Sequence, residues 1–128
     1  MTTGTPGPPA ILIVEDDPAI RTLVNRTLTG EGWRTLSAGG GVEALEVIVK
    51  YDGPIPLAIV DLVMPQFGGL DFANQLRVDR PATKVLYISG WAGSIELESL
   101  RHEAPQAVLQ KPFTPTELVE RIRDLLAQ

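Results

Sequence analysis

The chain contains no cysteine in its 128 residues. That excludes disulfides, thiolate metal ligands and thiol nucleophiles, although by itself it assigns no compartment. No apolar stretch approaches the ~20 residues a membrane span needs. The N-terminus has neither the basic nor the apolar segment of a secretory signal. A basic surplus is also missing: 11 Lys and Arg face 16 Asp and Glu, a net charge of −5. With no local basic stripe, this balance repels polyanions. A soluble cytoplasmic chain with neither nucleic acid nor membrane among its partners is expected. What is present is enough sequence for one domain, which at this length buries roughly two thirds of its unfolded surface.

Residues 1–9 are small, polar or helix-breaking after the initiator and predict a flexible leader, with one domain over 10–128. From Ala10 onward, short β-rich runs alternate with segments of helical period, punctuated by Gly, Pro or Asp. Strands are predicted over 10–14, 33–38, 57–60, 84–88 and 107–109. The first helix places Ile20, Leu23, Val24 and Leu28 on one stripe. Asp17 and Pro18 open it as cap and first-turn proline, and Gly30 and Gly32 close it. A second helix near 41–51 offers Ala44, Leu45, Ile48 and Val49, and a third near 69–78 offers Phe72, Ala73 and Leu76. The fourth, near 94–103, is the least regular. The fifth starts with the capping box Thr114-Pro115-Thr116-Glu117 and buries Leu118, Ile122, Leu125 and Leu126. No attached output module is expected, and with it signalling by direct protein contact.

Five βα units in strict alternation predict an α/β fold, a doubly wound parallel sheet with helices on both faces. In such sheets ligands bind beyond the carboxyl ends of the strands. Four runs end there in polar groups: Glu15-Asp16-Asp17, Asp61, Ser89 and Lys111. Singly, each has a plain structural role, as helix cap, turn acid, turn hydroxyl or solvated strand end. Their meeting on one edge is harder to explain by structure alone. Clustered carboxylates repel one another, and a hard divalent cation with oxygen ligands relieves that repulsion. Mg²⁺ is the one that keeps waters and accepts phosphate oxygens. A carboxylate can attack phosphorus when metal, ammonium and hydroxyl hold the developing charge. Asp61, Lys111 and Ser89 match those roles.

Five segments carry a resemblance to response-regulator receiver domains of bacterial two-component signalling, from Ala10 to the C-terminus. They are Ile-Leu-Ile-Val-Glu-Asp-Asp-Pro, Asp61-Leu-Val-Met-Pro, Gly68-Gly69-Leu70, Ile88-Ser89-Gly90 and Lys111-Pro112-Phe113. The resemblance implies a flavodoxin-like (βα)5 fold with strand order 2-1-3-4-5. It further implies that Asp61 is the phosphoacceptor, that Glu15 and Asp16 bind Mg²⁺ with Asp61 and the Val63 carbonyl, and that Ser89 is the switch hydroxyl. Lys111 would pair with the phosphate. By the same resemblance a histidine kinase is the donor, docking near residues 18–28 and the loop 112–116 that begins at Pro112. Onward transfer to a histidine phosphotransfer protein stays open, as does a monomer against a weak phosphorylation-dependent dimer. The only chemistry expected is the chain's own aspartyl phosphorylation and dephosphorylation. The segments around Ser89 and Lys111 resemble receivers of hybrid kinases, or stand-alone relatives, more than those of transcription factors.

Some positions depart from the family pattern. Val108 stands where many receivers carry an aromatic that swings inward, so an aromatic switch is not expected, and Trp91 is a candidate to take over part of that readout. Gly68 replaces the usual acid before the last glycine, which predicts a looser turn. Val63 and Trp91 flank the expected path of hydrolytic water and orient it poorly, so slow autodephosphorylation is expected. His102, the only histidine, stands in the weakest helix, and no phosphohistidine role is assigned to it. The alternative function is a pseudo-receiver, a protein-interaction module that works without phosphorylation. A flavin-binding flavodoxin conflicts with the acidic first loop. A haloacid dehalogenase-type phosphatase would need an acid where Val63 stands.

Overall fold

The computed structural model describes residues 7–64, 67–90 and 95–128. Along the chain run β1 (Ile11–Val14), α1 (Pro18–Gly30), β2 (Thr35–Ala38), α2 (Gly41–Lys50), β3 (Leu57–Asp61) and α3 (Gly69–Asp79). There follow β4 (Lys84–Ser89), α4 (Ile95–Glu103), a 3-10 turn (Pro105–Ala107), β5 (Val108–Gln110) and α5 (Pro115–Leu126). The strands form one parallel sheet in the order β2-β1-β3-β4-β5. This is the flavodoxin-like order that the resemblance implied. Among the described residues no helix is long and apolar enough to cross a membrane.

Because the sheet is covered on both faces, β1 and β3 are apolar without alternation, and every residue in them is buried. Alternate side chains still divide between two layers. Leu12, Val14, Ala58, Val60 and Tyr87 pack with Ala44, Ile48, Phe72, Ala73 and Leu76 of α2 and α3. Ile11, Ile13, Leu57, Ile59, Leu86, Ile88 and Leu109 pack with Val24, Leu28, Leu118, Ile122 and Leu125 of α1 and α5. At about 25 cal/mol per Å² of apolar area these layers are the main favourable term in folding.

Helix ends follow local chemistry. Asp17 caps α1 by accepting from the N–H of Ala19 at 2.9 Å and of Ile20 at 3.4 Å. Gly32, at φ +92°, closes it in the left-handed region, with N–H donations from Gly32 to Thr29 and from Trp33 to Leu28, both at 3.1 Å. The Thr114 capping box of α5 is present with both bonds made.

The predicted boundaries shift at several points. Trp33 lies outside β2 because its N–H is taken by the end of α1. Ala107 belongs to the 3-10 turn, its N–H donating to the Ala104 carbonyl, so β5 starts one residue later. Asp61 and Ser89 lie inside their strands, not just after them. Leu23 and Val49, assigned to buried stripes, are 44% and 74% exposed. Before β1, the Pro8 carbonyl accepts a hydrogen bond from the Tyr51 hydroxyl, and the Ala10 N–H donates to Pro54 at 3.0 Å.

Candidate functional site

Register places the polar strand ends together. Val14 is level with Val60, so one residue further the ends of β1 and β3 bring Glu15 beside Asp61. Asp61 is paired with Ile88, and Ser89 with Gln110. Lys111 follows directly. Its N–H donates to the Ser89 carbonyl at 2.8 Å, joining the ends of β4 and β5. Glu15, Asp61 and Ser89 are the buried polar residues among those described.

Carboxylate oxygens of Glu15, Asp16 and Asp61 lie within 4.8 Å of one another. Glu15 and Asp61 are buried and Asp16 is exposed, so the cluster opens to solvent on one side. Asp17 is turned to its capping bonds and is not one of this triad. The Val63 N–H donates to Asp61 Oδ1 at 3.0 Å, and Lys111 Nζ donates to Asp61 Oδ2 at 3.3 Å. Glu15 Oε2 accepts from the Asp17 N–H at 3.2 Å. Glu15 Oε1 lies 2.9 Å from Lys111 Nζ yet accepts no aligned hydrogen bond.

Three acids beside one ammonium leave an excess of negative charge. Burial is the largest influence on the Glu15 carboxyl and, with the neighbouring Asp61 carboxylate, raises it to about 7 against the opposing pull of Lys111. Burial would lower Lys111, but Glu15 and Asp61 outweigh it and raise its pKa, so the ammonium stays charged. Three carboxylates offering hard oxygen donors within 4.8 Å of one another, against a single ammonium, fit a divalent cation of the Mg²⁺ class.

The other predicted positions fall nearby or outside the description. Val63 is exposed on the loop after β3. Val108 is buried at the start of β5, its carbonyl accepting from Arg121 at 2.5 Å. Pro112 is exposed just past Lys111. Trp91 lies outside the described residues, as does part of the turn in which Gly68 stands. Beside Lys111 a groove of about 410 Å³ is lined by Ile20, Leu23, Gly90, Lys111, Pro112 and Phe113. Leu23, on the predicted stripe of α1 yet exposed, borders this groove. Sequence alone does not mark Arg21, whose Nη1 donates to the Glu15 carbonyl at 2.8 Å. A basic residue at the start of a helix that follows acids is too common to be a signal.

The family model for the response regulator receiver domain matches residues 11–123. Among curated relatives, the sensor kinase CckA of Brucella abortus is 32% identical over 124 residues, covering 97% of this chain and 13% of that protein. The response regulator MprA of Mycobacterium leprae is 35% identical over 116 residues, covering 91% of this chain and 50% of that protein. The chain thus spans half or less of the length of these relatives. Among solved structures, a CheY-like receiver domain protein from Methanospirillum hungatei superposes with a TM-score of 0.81 at 28% identity, covering 94% of this chain and 95% of that one. The receiver domain of the hybrid histidine kinase CckA gives 0.74 at 32% identity, covering 94% and 99%. The response regulator TrrA of Thermotoga maritima, solved in complex with Mg²⁺-BeF, gives 0.73 at 29% identity, covering 91% and 97%. On the extent of the family match and the relatives that share it, this chain belongs to the response regulator receiver domain family.

Proposed function

We propose that the chain is a cytoplasmic phosphoacceptor switch that takes a phosphoryl group from the phosphohistidine of a partner histidine kinase onto Asp61. The observation that carries this reading is the buried Asp61 carboxylate, grouped with Glu15 and Asp16 and paired with Lys111. Its two oxygens are held by different donors, the Val63 amide and the Lys111 ammonium. Family membership, and the Mg²⁺-BeF complex of TrrA, add support.

In the proposed step an Asp61 oxygen attacks phosphorus and forms an acyl phosphate. The phosphorus–nitrogen bond of the donor breaks, its electron pair returns to the imidazole ring, and that nitrogen takes up a proton. Mg²⁺ held by Glu15, Asp16, Asp61 and the Val63 carbonyl would supply positive charge for the phosphoryl oxygens. Lys111 pairs with those oxygens from the β5 side, and Ser89 supplies a hydroxyl at the end of β4. The apolar groove beside Lys111, between α1 and the loop after β5, is the surface on which the donor's helices would rest. Transfer onward to a histidine phosphotransfer protein would use the same surface.

Intact mass after incubation with Mg²⁺ and a small acyl phosphate, run beside Asp61→Asn, tests the reading. A Mg²⁺-dependent gain of one phosphoryl group, absent from the variant, is expected. Its later loss should be slow, because Val63 offers no side-chain group to orient water. A folded native chain that gains nothing would instead be a pseudo-receiver, working by binding alone.

A further inference from the structure

Asp16 is the exposed acid of the triad, and among the described residues its side chain makes no hydrogen bond. What the fold holds of Asp16 is therefore its main chain, which sets the point from which the side chain starts. The peptide joining Glu15 to Asp16 is a planar unit, so fixing its carbonyl also fixes where Asp16 departs from it. Arg21 Nη1 donates to that carbonyl at 2.8 Å. The preceding peptide is held as well, by the Glu15 N–H donating to Ala38 at 3.1 Å. Arg21 is itself anchored in the first hydrogen-bonded turn of α1, its N–H donating to the Asp17 carbonyl at 2.9 Å. The guanidinium thus reaches back across the start of the helix to the strand end that carries both acids.

We propose that Arg21 is a positioning residue for the cation site, holding the Glu15–Asp16 peptide so that Asp16 converges with Glu15 and Asp61. This rests on the phosphoacceptor reading and deepens it by naming a group that sets metal affinity without touching the metal. A guanidinium near a cation site has two opposed effects. Its charge repels the incoming cation, so loss of charge alone would tighten binding. Its hydrogen bond orders a ligand, so loss of the bond weakens binding. A purely structural role would move the thermal midpoint and leave affinity unchanged.

Calorimetric Mg²⁺ titration of the native chain and of Arg21→Met at matched ionic strength, with thermal midpoints recorded for both, separates these cases. The positioning role predicts a dissociation constant raised roughly tenfold or more, with phosphoryl acceptance restored at saturating Mg²⁺. Arg21→Lys, which retains a long-reaching donor, should recover most of the loss. If Arg21→Met does not fold, Arg21→Gln, which also removes the charge and shortens the reach, tests the same sign. Unchanged or tighter Mg²⁺ binding in either folded neutral variant overturns the assignment while leaving the phosphoacceptor reading intact. A native chain with no saturable Mg²⁺ binding overturns both.

Discussion

Glu15 sits in an environment that works against its own charge. Its carboxyl moves from an ordinary value of 4.5 to about 7, through burial first and the adjacent Asp61 carboxylate second. In the metal-free chain the folded state therefore holds this proton more tightly than the unfolded state does. The resulting stability is fully present below about pH 4.5 and is lost as pH rises through about 7. Its size should be roughly 1–3 kcal/mol. In a chelator, the thermal midpoint of the native chain is expected to fall across that window relative to Glu15→Gln, whose amide does not titrate. Parallel pH curves for the two proteins would refute the raised carboxyl. Proton and divalent cation compete for the same oxygens, so Mg²⁺ affinity should rise across the same window.

At the scale of elements, the start of α3 lies directly on the end of β3. A Cβ on Gly69 would collide with the Asp61 carbonyl and lie 2.9 Å from Leu62 Cα, whereas one on Gly68 would, among the described residues, meet nothing nearer than Asp71 Oδ2 at 3.8 Å. Gly69→Ala must push the helix off the strand or move Asp61. It is expected to cost about 1–3 kcal/mol in urea unfolding and to slow phosphorylation. Gly68→Ala, one residue away at φ −73°, should leave both close to native. Equal effects at the two positions would remove the close-packing argument. The glycine pair was legible in the sequence as a motif, but which member lacks room was not, because the obstacle is backbone from another element. The same division runs through the fold. β1, β3 and the capped ends of α1 and α5 were readable because local pattern and burial agree. Val49 was not, because it stands one residue round from buried Ile48, and periodicity does not say where the stripe ends. Arg80 left no trace either: its guanidinium reaches carbonyls at the end of α2 and beyond, donating to Ile48 at 3.0 Å, to Gly53 at 2.7 Å and to Tyr51. Such a clamp joins residues that no local period connects.

Across the whole molecule, the site exists only where strands distant in sequence end side by side. The carboxylates and the ammonium that meet here stand at strand ends the sequence marks, whereas their adjacency depends on the strand order, which alternation alone does not specify. Glu15 and Asp16 follow β1, Asp61 ends β3, and the two strands are neighbours in the sheet centre. Unfolding separates them, so a cation that needs both has far less affinity for the unfolded chain. Binding must then stabilise the entire fold, by about 1.4 kcal/mol for each tenfold rise in Mg²⁺ above its dissociation constant. Urea unfolding of the native chain should show a midpoint that climbs with Mg²⁺ while the denaturant slope stays constant, since the exposed surface is unchanged. In Asp61→Asn the climb should flatten, because one of the two strands no longer contributes a charged ligand. A matched series in monovalent salt accounts for screening of the net charge of −5. If that series raises the midpoint as much as Mg²⁺ does, the acids act only through their repulsion, and no cation joins β1 to β3.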